Sequence, residues 1–475
     1  AETKIGGYYM FRMQDSQDQL AGDNGNGTLD RSRYWSHRLQ LNMDFLASPK
    51  THAHLVTRVL NDKVVEGADA PGLGLNGAGV AAQTNNWQIR QAWLETEAWG
   101  IGLKTGQMPI SLNDDILVNH DTTSFGTVML SKSFGDVTVV AADVRLREGD
   151  VGFQGGTSVG ATNLDDAAGP NTQTGGVPGL LNNGSNDDDE DLYVLSILGK
   201  APSNISYQIT AAYLNLGKGG VVANGPATAI GSGLVQPDRW GQDRLHDWWL
   251  AGTIKVPVSG IDLTGTLIYE NGMGGFTDGD NNATALNSQL DKSGFLGALR
   301  AKGKLGFGGW NAYGFYASKN FTNITNRNPV WSDTWDQGGP GAKDLMNLVT
   351  GNAFNINPAG NGGNGAGAAA SPTENAWGLG AGLTVEAGGW KIRPMLDYVS
   401  LVSDSISYGA PDRALARYDS AWGGSLMAST SIDKGTDLLL GATVVRPSDG
   451  PGRVANDNMD SKTMHLVQAA IKMAF

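Results

Sequence analysis

Over long stretches of this chain apolar and polar side chains alternate at a period of two. That alternation limits the fold more than any other feature. Successive side chains of an extended strand point to opposite faces, whereas a helix would mix the two sets on every face. Over 34–45 one set is Trp35, His37, Leu39, Leu41, Met43 and Phe45, and the other is Tyr34, Ser36, Arg38, Gln40, Asn42 and Asp44. Over 205–213, Ile205, Tyr207, Ile209, Ala211 and Tyr213 oppose Ser206, Gln208 and Thr210. Over 377–385 the apolar set opposes Gly378, Gly380 and Gly382, which leaves that second face with open space.

Strands of this kind are expected near 4–13, 33–45, 52–61, 86–97, 100–108, 123–133, 136–147, 191–199 and 204–214, and again near 246–256, 261–271, 293–303, 309–319, 375–387, 389–400, 418–431, 435–446 and 462–475. The short connections fall at 47–51, 99, 135, 200–203, 257–260, 304–308, 388 and 433–434. They alternate with long ones rich in Gly, Asn and Asp, near 14–32, 61–85, 109–122, 148–190, 215–245, 271–292, 320–373, 401–417 and 447–461. Short turns at one end and long loops at the other mark transmembrane barrels. A soluble sandwich has no reason to alternate so, and a propeller would repeat every 40–50 residues or so. The expected fold is therefore all-β: one closed antiparallel transmembrane β-barrel over 1–475, with about 18 strands, or 16 if one hairpin is divided too finely. An even count brings both termini to the periplasmic end and pairs the first strand with the last.

Composition agrees. The 475 residues show no linker, and hydrophobic residues make up 40%, which is thin for a solid core of this length but enough for the outer skin of a hollow barrel. No run of about 18 apolar residues exists, which excludes a helical span. The absence of cysteine excludes disulfides and thiolate metal sites. The chain opens at Ala1-Glu2-Thr3 without an apolar signal core, as expected of a mature product. The net charge, 34 − 47 = −13, argues against a nucleic-acid partner. Between Glu148 and Asp191 lie nine acids and no Lys or Arg, so acidic loops are expected above arginine-bearing strands. Trp35, Trp87, Trp248, Trp377 and Trp422 start strands from the outer end, and Trp99, Trp310 and Trp390 start them from the inner end, as expected of two interfacial belts. The chain ends on Phe475, preceded at alternate positions by Met473, Ile471, Ala469, Val467 and His465, which resembles the assembly signal of outer-membrane barrels.

Three further stretches carry a family resemblance: Arg90-Gln91-Ala92-Trp93-Leu94-Glu95, Gly102-Leu103-Lys104-Thr105-Gly106-Gln107 and Ser124-Phe125-Gly126. Over roughly 85–148 the chain resembles the alginate-export family of porins, which are 18-stranded. The resemblance implies a passive, energy-independent conduit whose lumen carries arginines.

The phase of the alternation assigns the inner wall. With the apolar set toward lipid, Arg12, Arg38, Arg58, Arg145, Arg147, Arg300, Lys302, Lys391 and Arg393 point inward, and Lys104 is placed with them. A charge on the lipid face at the midplane would cost roughly 2–4 kcal/mol. Arg90 shares its phase with Ala92 and Leu94, so both facings stay open. Asp44, Asp143, Asp262, Glu270, Glu386 and Asp397 are also read as inward. Such a wall either concentrates anions or is braced by its own ion pairs. The connection 109–122 is the most apolar of the long ones, with Ile110, Leu112, Ile116, Leu117 and Val118. It is expected either to turn into the lumen, setting Asp114, Asp115, His120 and Asp121 against the basic wall, or to pack on a neighbouring subunit. Asp23, Asn24, Asn26 and Asp30 are the candidate Ca²⁺ ligands, although their spacing departs from an EF-hand. No Gly-x-Ser-x-Gly elbow occurs and the six His are scattered, so no enzyme is expected. The function expected is passive diffusion of small polar, anionic solutes through an outer-membrane porin. Its partners are the bilayer, lipopolysaccharide and, in a homotrimer, copies of itself. Two other classes stay open: a sheath around a multihaem electron conduit, and a loop-based receptor or adhesin.

Overall fold

Each alternating segment becomes a strand, and each strand pairs with the next until the last returns to the first. The computed structural model describes residues 2–18, 30–66, 87–147, 190–216, 245–275, 289–318, 321, 325–326, 376–402, 420–447 and 463–475. The strands run β1 (Glu2–Asp18), β2 (Asp30–Ser48), β3 (Thr51–Glu66), β4 (Trp87–Ala98), β5 (Ile101–Leu112), β6 (Val118–Phe134), β7 (Val137–Arg147), β8 (Glu190–Ala201) and β9 (Ile205–Leu216). They continue through β10 (Leu245–Val258), β11 (Ile261–Gly275), β12 (Gln289–Leu305), β13 (Gly308–Ala317), β14 (Thr325–Asn326), β15 (Ala376–Ala387), β16 (Trp390–Leu401), β17 (Ser420–Asp433), β18 (Thr436–Pro447) and β19 (Met464–Ala474). The two-residue β14 stands outside the ring, parallel to Val118 and Asn119 of β6, and β13 pairs directly with β15. The ring is therefore a closed antiparallel barrel of 18 strands. β1 closes it, pairing Tyr8 with Ala474 on one side and with Gln40 on the other. Gly7 and Phe475 exchange two backbone hydrogen bonds of 3.1 Å at the seam. A Cβ on Gly7 would fall on the carbonyl oxygen of Gln40, so β1 lies this close to β2 only with a glycine there.

The two wall faces separate by phase. Leu195, Ile209, Leu250, Leu267, Leu299, Leu379 and Leu426 are exposed on the outer face. Above them runs an aromatic belt whose cross-strand neighbours touch. Ring centroids are 6.5 Å apart for Tyr193–Tyr213, 5.4 Å for Trp248–Tyr269, 5.5 Å for Phe295–Tyr316 and 5.3 Å for Trp377–Tyr398. Amphipathic rings at one level are what an interface between hydrocarbon and headgroups selects. At the opposite end the turns are tight. Trp99 and Gly100 both have positive φ (54° and 72°), the mirror-image geometry that matches strand twist, and the Trp99 indole is 95% exposed.

Three expectations need correction. First, the interior is not bare. Inward side chains form a continuous buried cluster that includes Trp249, Ile268, Leu296 and Val399. The low apolar content is thus shared between an outer skin and an inner core. Second, the open space beside Gly378, Gly380 and Gly382 is filled by neighbours. Phe315, Tyr313 and Asn311 lean over it from β13, and Met395 and Asp397 from β16. Tyr313 donates its hydroxyl hydrogen bond to Asp397 across Gly380. Third, the connection expected at 109–122 shrinks to 113–117, because β5 and β6 continue pairing beyond a register shift at Pro109. Proline has no N–H to leave unpaired, so a bulge accommodates it.

Because Gly380 is the gap through which Tyr313 reaches Asp397, Gly380→Val is expected to lower barrel stability by about 1–3 kcal/mol through overpacking. Denaturant unfolding of the protein refolded in lipid vesicles checks this, with Gly297→Val, at an open outward position, as the milder comparison.

Candidate functional site

The turn between β5 and β6 is where inner-wall chemistry converges. Asn113, Asp114 and Asp115 all adopt left-handed backbone, with φ of 53°, 58° and 62°. Asn and Asp are the non-glycine residues that enter this region most readily, yet three in succession store strain of roughly 1–2 kcal/mol each. Anchors on strands far around the barrel hold them. The backbone N–H of Asn113 donates to Gln208 Oε1 (3.2 Å) on β9, and its Nδ2 donates to Thr253 Oγ1 (3.3 Å) on β10. Behind these, Gln208 donates to Ser196 (3.1 Å), Ser196 and Thr210 share a bond of 2.9 Å, and Thr253 and Thr266 share one of 3.0 Å. Short hydroxyl and amide side chains alternate with lipid-facing Tyr207, Ile209 and Ile254 on the same strands, so the strand pattern itself delivers this polar row.

Asp114 supplies the charge. It meets Arg300 Nη2 on β12 at 2.6 and 2.5 Å through its two oxygens, and Lys255 Nζ on β10 at 2.8 Å. Its carboxylate is almost buried and Arg300 largely so, whereas Lys255 stays half-exposed, which makes the arginine contact the stronger of the two. Ser111 donates to the Asp115 carboxylate, holding the turn from below. Ile116, Leu117 and Val118 then bury themselves among Val144, Leu192, Trp249 and Phe321.

The other expected residues fall as follows. Arg12 and Arg38 are buried on the inward face, where Arg38 donates to the Tyr8 hydroxyl at 3.5 Å. Arg58 donates to Gln40 Oε1 at 2.8 Å, and Lys104 pairs with Glu95 at 2.7 Å. Lys302 stands opposite Asp262, Lys391 opposite Glu386 and Arg393 opposite Met427. Arg90 falls at the register shift between β3 and β4, which accounts for its mixed phase. His120 stands in β6 opposite Ile110, and Asp121 follows it. Asp23, Asn24 and Asn26 lie outside the described residues, and Asp30 begins β2. Among the described residues no group of three acids or histidines is arranged to hold a metal ion.

Arg145 and Asp143 are corrections. Arg145 pairs in register with Gly126 and Asp191, and Asp143 with Val128 and Tyr193. Val128 and Tyr193 are exposed on the outer face, so Asp143 and Arg145 point outward, at and just above the aromatic belt. There Arg145 bonds Asp191 at 3.1 Å. At headgroup depth an outward charge costs only about 0–1 kcal/mol, which removes the reason for assigning it inward. Arg147 stands opposite Glu190, one register shift further on. Sequence reasoning placed Gln208 on the polar face of its strand but missed Lys255, Thr253 and Asn113. The phase set by Trp248, Leu250 and Ile254 would have found Lys255 and Thr253; nothing local marks Asn113.

No family model matches the chain, and no curated protein matches it. Solved structures do. A BenF-like porin from Pseudomonas fluorescens Pf-5 superposes with a TM-score of 0.51 at 8% identity, over 100% of this chain and 98% of that one. Pseudomonas aeruginosa OccK11 (OpdR) gives 0.50 at 9%, over 100% and 95%. Acinetobacter baumannii OccAB3 gives 0.50 at 9%, over 100% and 99%. At such identities the likeness is one of fold. The chain has the 18-stranded fold of outer-membrane porins.

Proposed function

We propose that this protein is an outer-membrane porin through which small polar solutes, anions in preference, diffuse passively. We further propose that the 113–118 segment narrows its lumen. The observation that carries the reading is the clasp of Asp114 with Arg300 and Lys255. It ties a hairpin tip to inward side chains of strands well around the ring, which a surface loop packed on a neighbouring subunit would have no cause to do. A sheath around a multihaem protein needs a wide, unplugged lumen, and the buried cluster around Leu117 and Trp249 speaks against that. The superposition on a BenF-like porin and the 85–148 resemblance to alginate-export porins support a passive conduit.

The sign of the selectivity follows from screening. Charges in acidic outer loops are screened beyond about 8–10 Å at physiological salt, while those in a narrow low-dielectric throat are screened much less. In the throat, Asp114 is matched by two cations, and Arg38 and Arg58 add further positive charge to the inward face. A wall of this kind favours anions weakly.

Two measurements follow. Under a salt gradient across a planar bilayer, the wild-type reversal potential is expected on the anion side, shrinking as salt rises. Arg38→Ala and Arg58→Ala should move it toward cations, while outward Arg145→Ala leaves it in place. A cation-selective wild type indifferent to Arg38 and Arg58 would mean that these arginines only brace the wall. Deleting 112–118 should raise single-channel conductance in a barrel that still resists unfolding in SDS; unchanged conductance would remove the constriction from that segment.

A further inference from the structure

At their periplasmic ends β1 to β5 bring two histidines and a set of charged side chains to one arc of the inner wall. His52 and His54 are alternate residues at the start of β3, so they share a face, with ring centroids 6.2 Å apart. Opposite them on β4 stand Glu95 and Trp93, and Trp93 packs against the inner cluster, so that face is the lumen side. The His54 ring stacks on Trp93, with centroids 4.5 Å apart and planes inclined by 19°. Its Nδ1 lies 2.6 Å from the Asp44 carboxylate on β2. His52 Nε2 lies 3.2 Å from the carbonyl oxygen of Pro49. Around the pair, three lysines meet three acids: Lys4 with Glu2 at 3.6 Å, Lys50 with Glu97 at 2.7 Å and Lys104 with Glu95 at 2.7 Å. All six of these side chains are exposed to water. Asp44 is the acid of this arc whose partner is a histidine instead of a lysine.

We propose that His52 and His54 make the ion preference of the channel follow pH, by reversing the sign of charge on this arc of the periplasmic mouth. The proposal rests on the porin reading and adds the residues through which protons regulate it. Three lysines against four carboxylates leave the arc at −1 with neutral histidines and at +1 with both protonated. Histidine is the side chain whose ordinary charge change falls between about pH 5 and 8. Protonation of His54 needs no rearrangement, because the ring already touches a carboxylate at its edge and an indole across its face. Two charges matter at a mouth where the other charges nearly cancel, and a narrow opening lengthens their reach. His37 and His465 share the outward phase of Phe45 and Val467, so their titration does not act on the lumen.

The test is the reversal potential under a KCl gradient at low total salt, measured at about pH 7.5 and about pH 5.5, on either side of the ordinary histidine range. Resistance to unfolding in SDS checks that each barrel is intact. Acidification is expected to raise the anion-to-cation permeability ratio of the wild type at least roughly twofold. His52→Gln combined with His54→Gln should remove that rise, while the outward His37→Gln keeps it. Asp44→Asn deletes one negative charge, so at neutral pH it should already move the potential toward anions by about half the acid shift, one charge against two. A wild-type potential unmoved by pH, or a rise that survives the double histidine change, would overturn the proposal. So would an Asp44→Asn channel identical to the wild type at neutral pH, because the arc would then not reach the conducting ions. A wild type that forms no channels would overturn the porin reading, and this proposal with it.

Discussion

A strand in hydrocarbon has no water to satisfy its N–H and C=O groups, and each one left unpaired costs several kcal/mol. Everything else in this molecule depends on meeting that demand. A sheet meets it without remainder only by closing, and here closure happens between β1 and β19. The seam extends to the last residue, where Phe475 and Gly7 satisfy each other's backbone. Closure in turn requires an even number of strands, both termini at one end and turns that add no unpaired length. The places where pairing slips are placed with care. Pro109 sits at the register shift between Met108 and Ile110, and Arg90 at another between β3 and β4.

Closing the ring also brings the tip of the β5–β6 hairpin against inward side chains of β9, β10 and β12. Three consecutive left-handed residues would be unfavourable in isolation, and the hydrogen bonds from Asn113 to β9 and β10 offset that strain. The Asp114 pairs then fix the tip electrostatically, and the apolar side chains that follow fill the space beneath. Interior charge is handled by matching rather than by exclusion, Lys104 with Glu95 and Arg300 with Asp114, and His54 Nδ1 lies 2.6 Å from the Asp44 carboxylate. A buried charge kept beside its partner avoids most of the penalty of an isolated one.

The outer and inner faces obey different solvents. Outward, the hydrocarbon core selects Leu, Ile and Val, and the interface selects the ring of Tyr and Trp. Just above that ring the rule relaxes, and the Arg145–Asp191 pair sits there on the outer wall. Inward, hydroxyls, amides and charges are admitted, as the Gln208–Ser196–Thr210 row and the Asp114 pairs show.

Much of this was legible in the alternation alone. Where large apolar side chains mark one face against polar residues or glycine, as over much of β2, β9 and β15, phase identified the inward set, and the number of strands followed from the spacing of turns. Legibility failed where both faces read alike. In β7 the run Val139, Val140, Ala141, Ala142 carries no phase, so Asp143 and Arg145 were placed on the wrong side. It failed again at 109–122, where local signals predicted a long loop and continued pairing made two longer strands. Period-two patterning and turn chemistry are local, and they determined the closed barrel, its facings on most strands and its closing strand. Which distant strands receive Asn113 and Asp114, only the tertiary structure decided. Those contacts join residues far apart in the chain, and they exist only once the ring has closed around them.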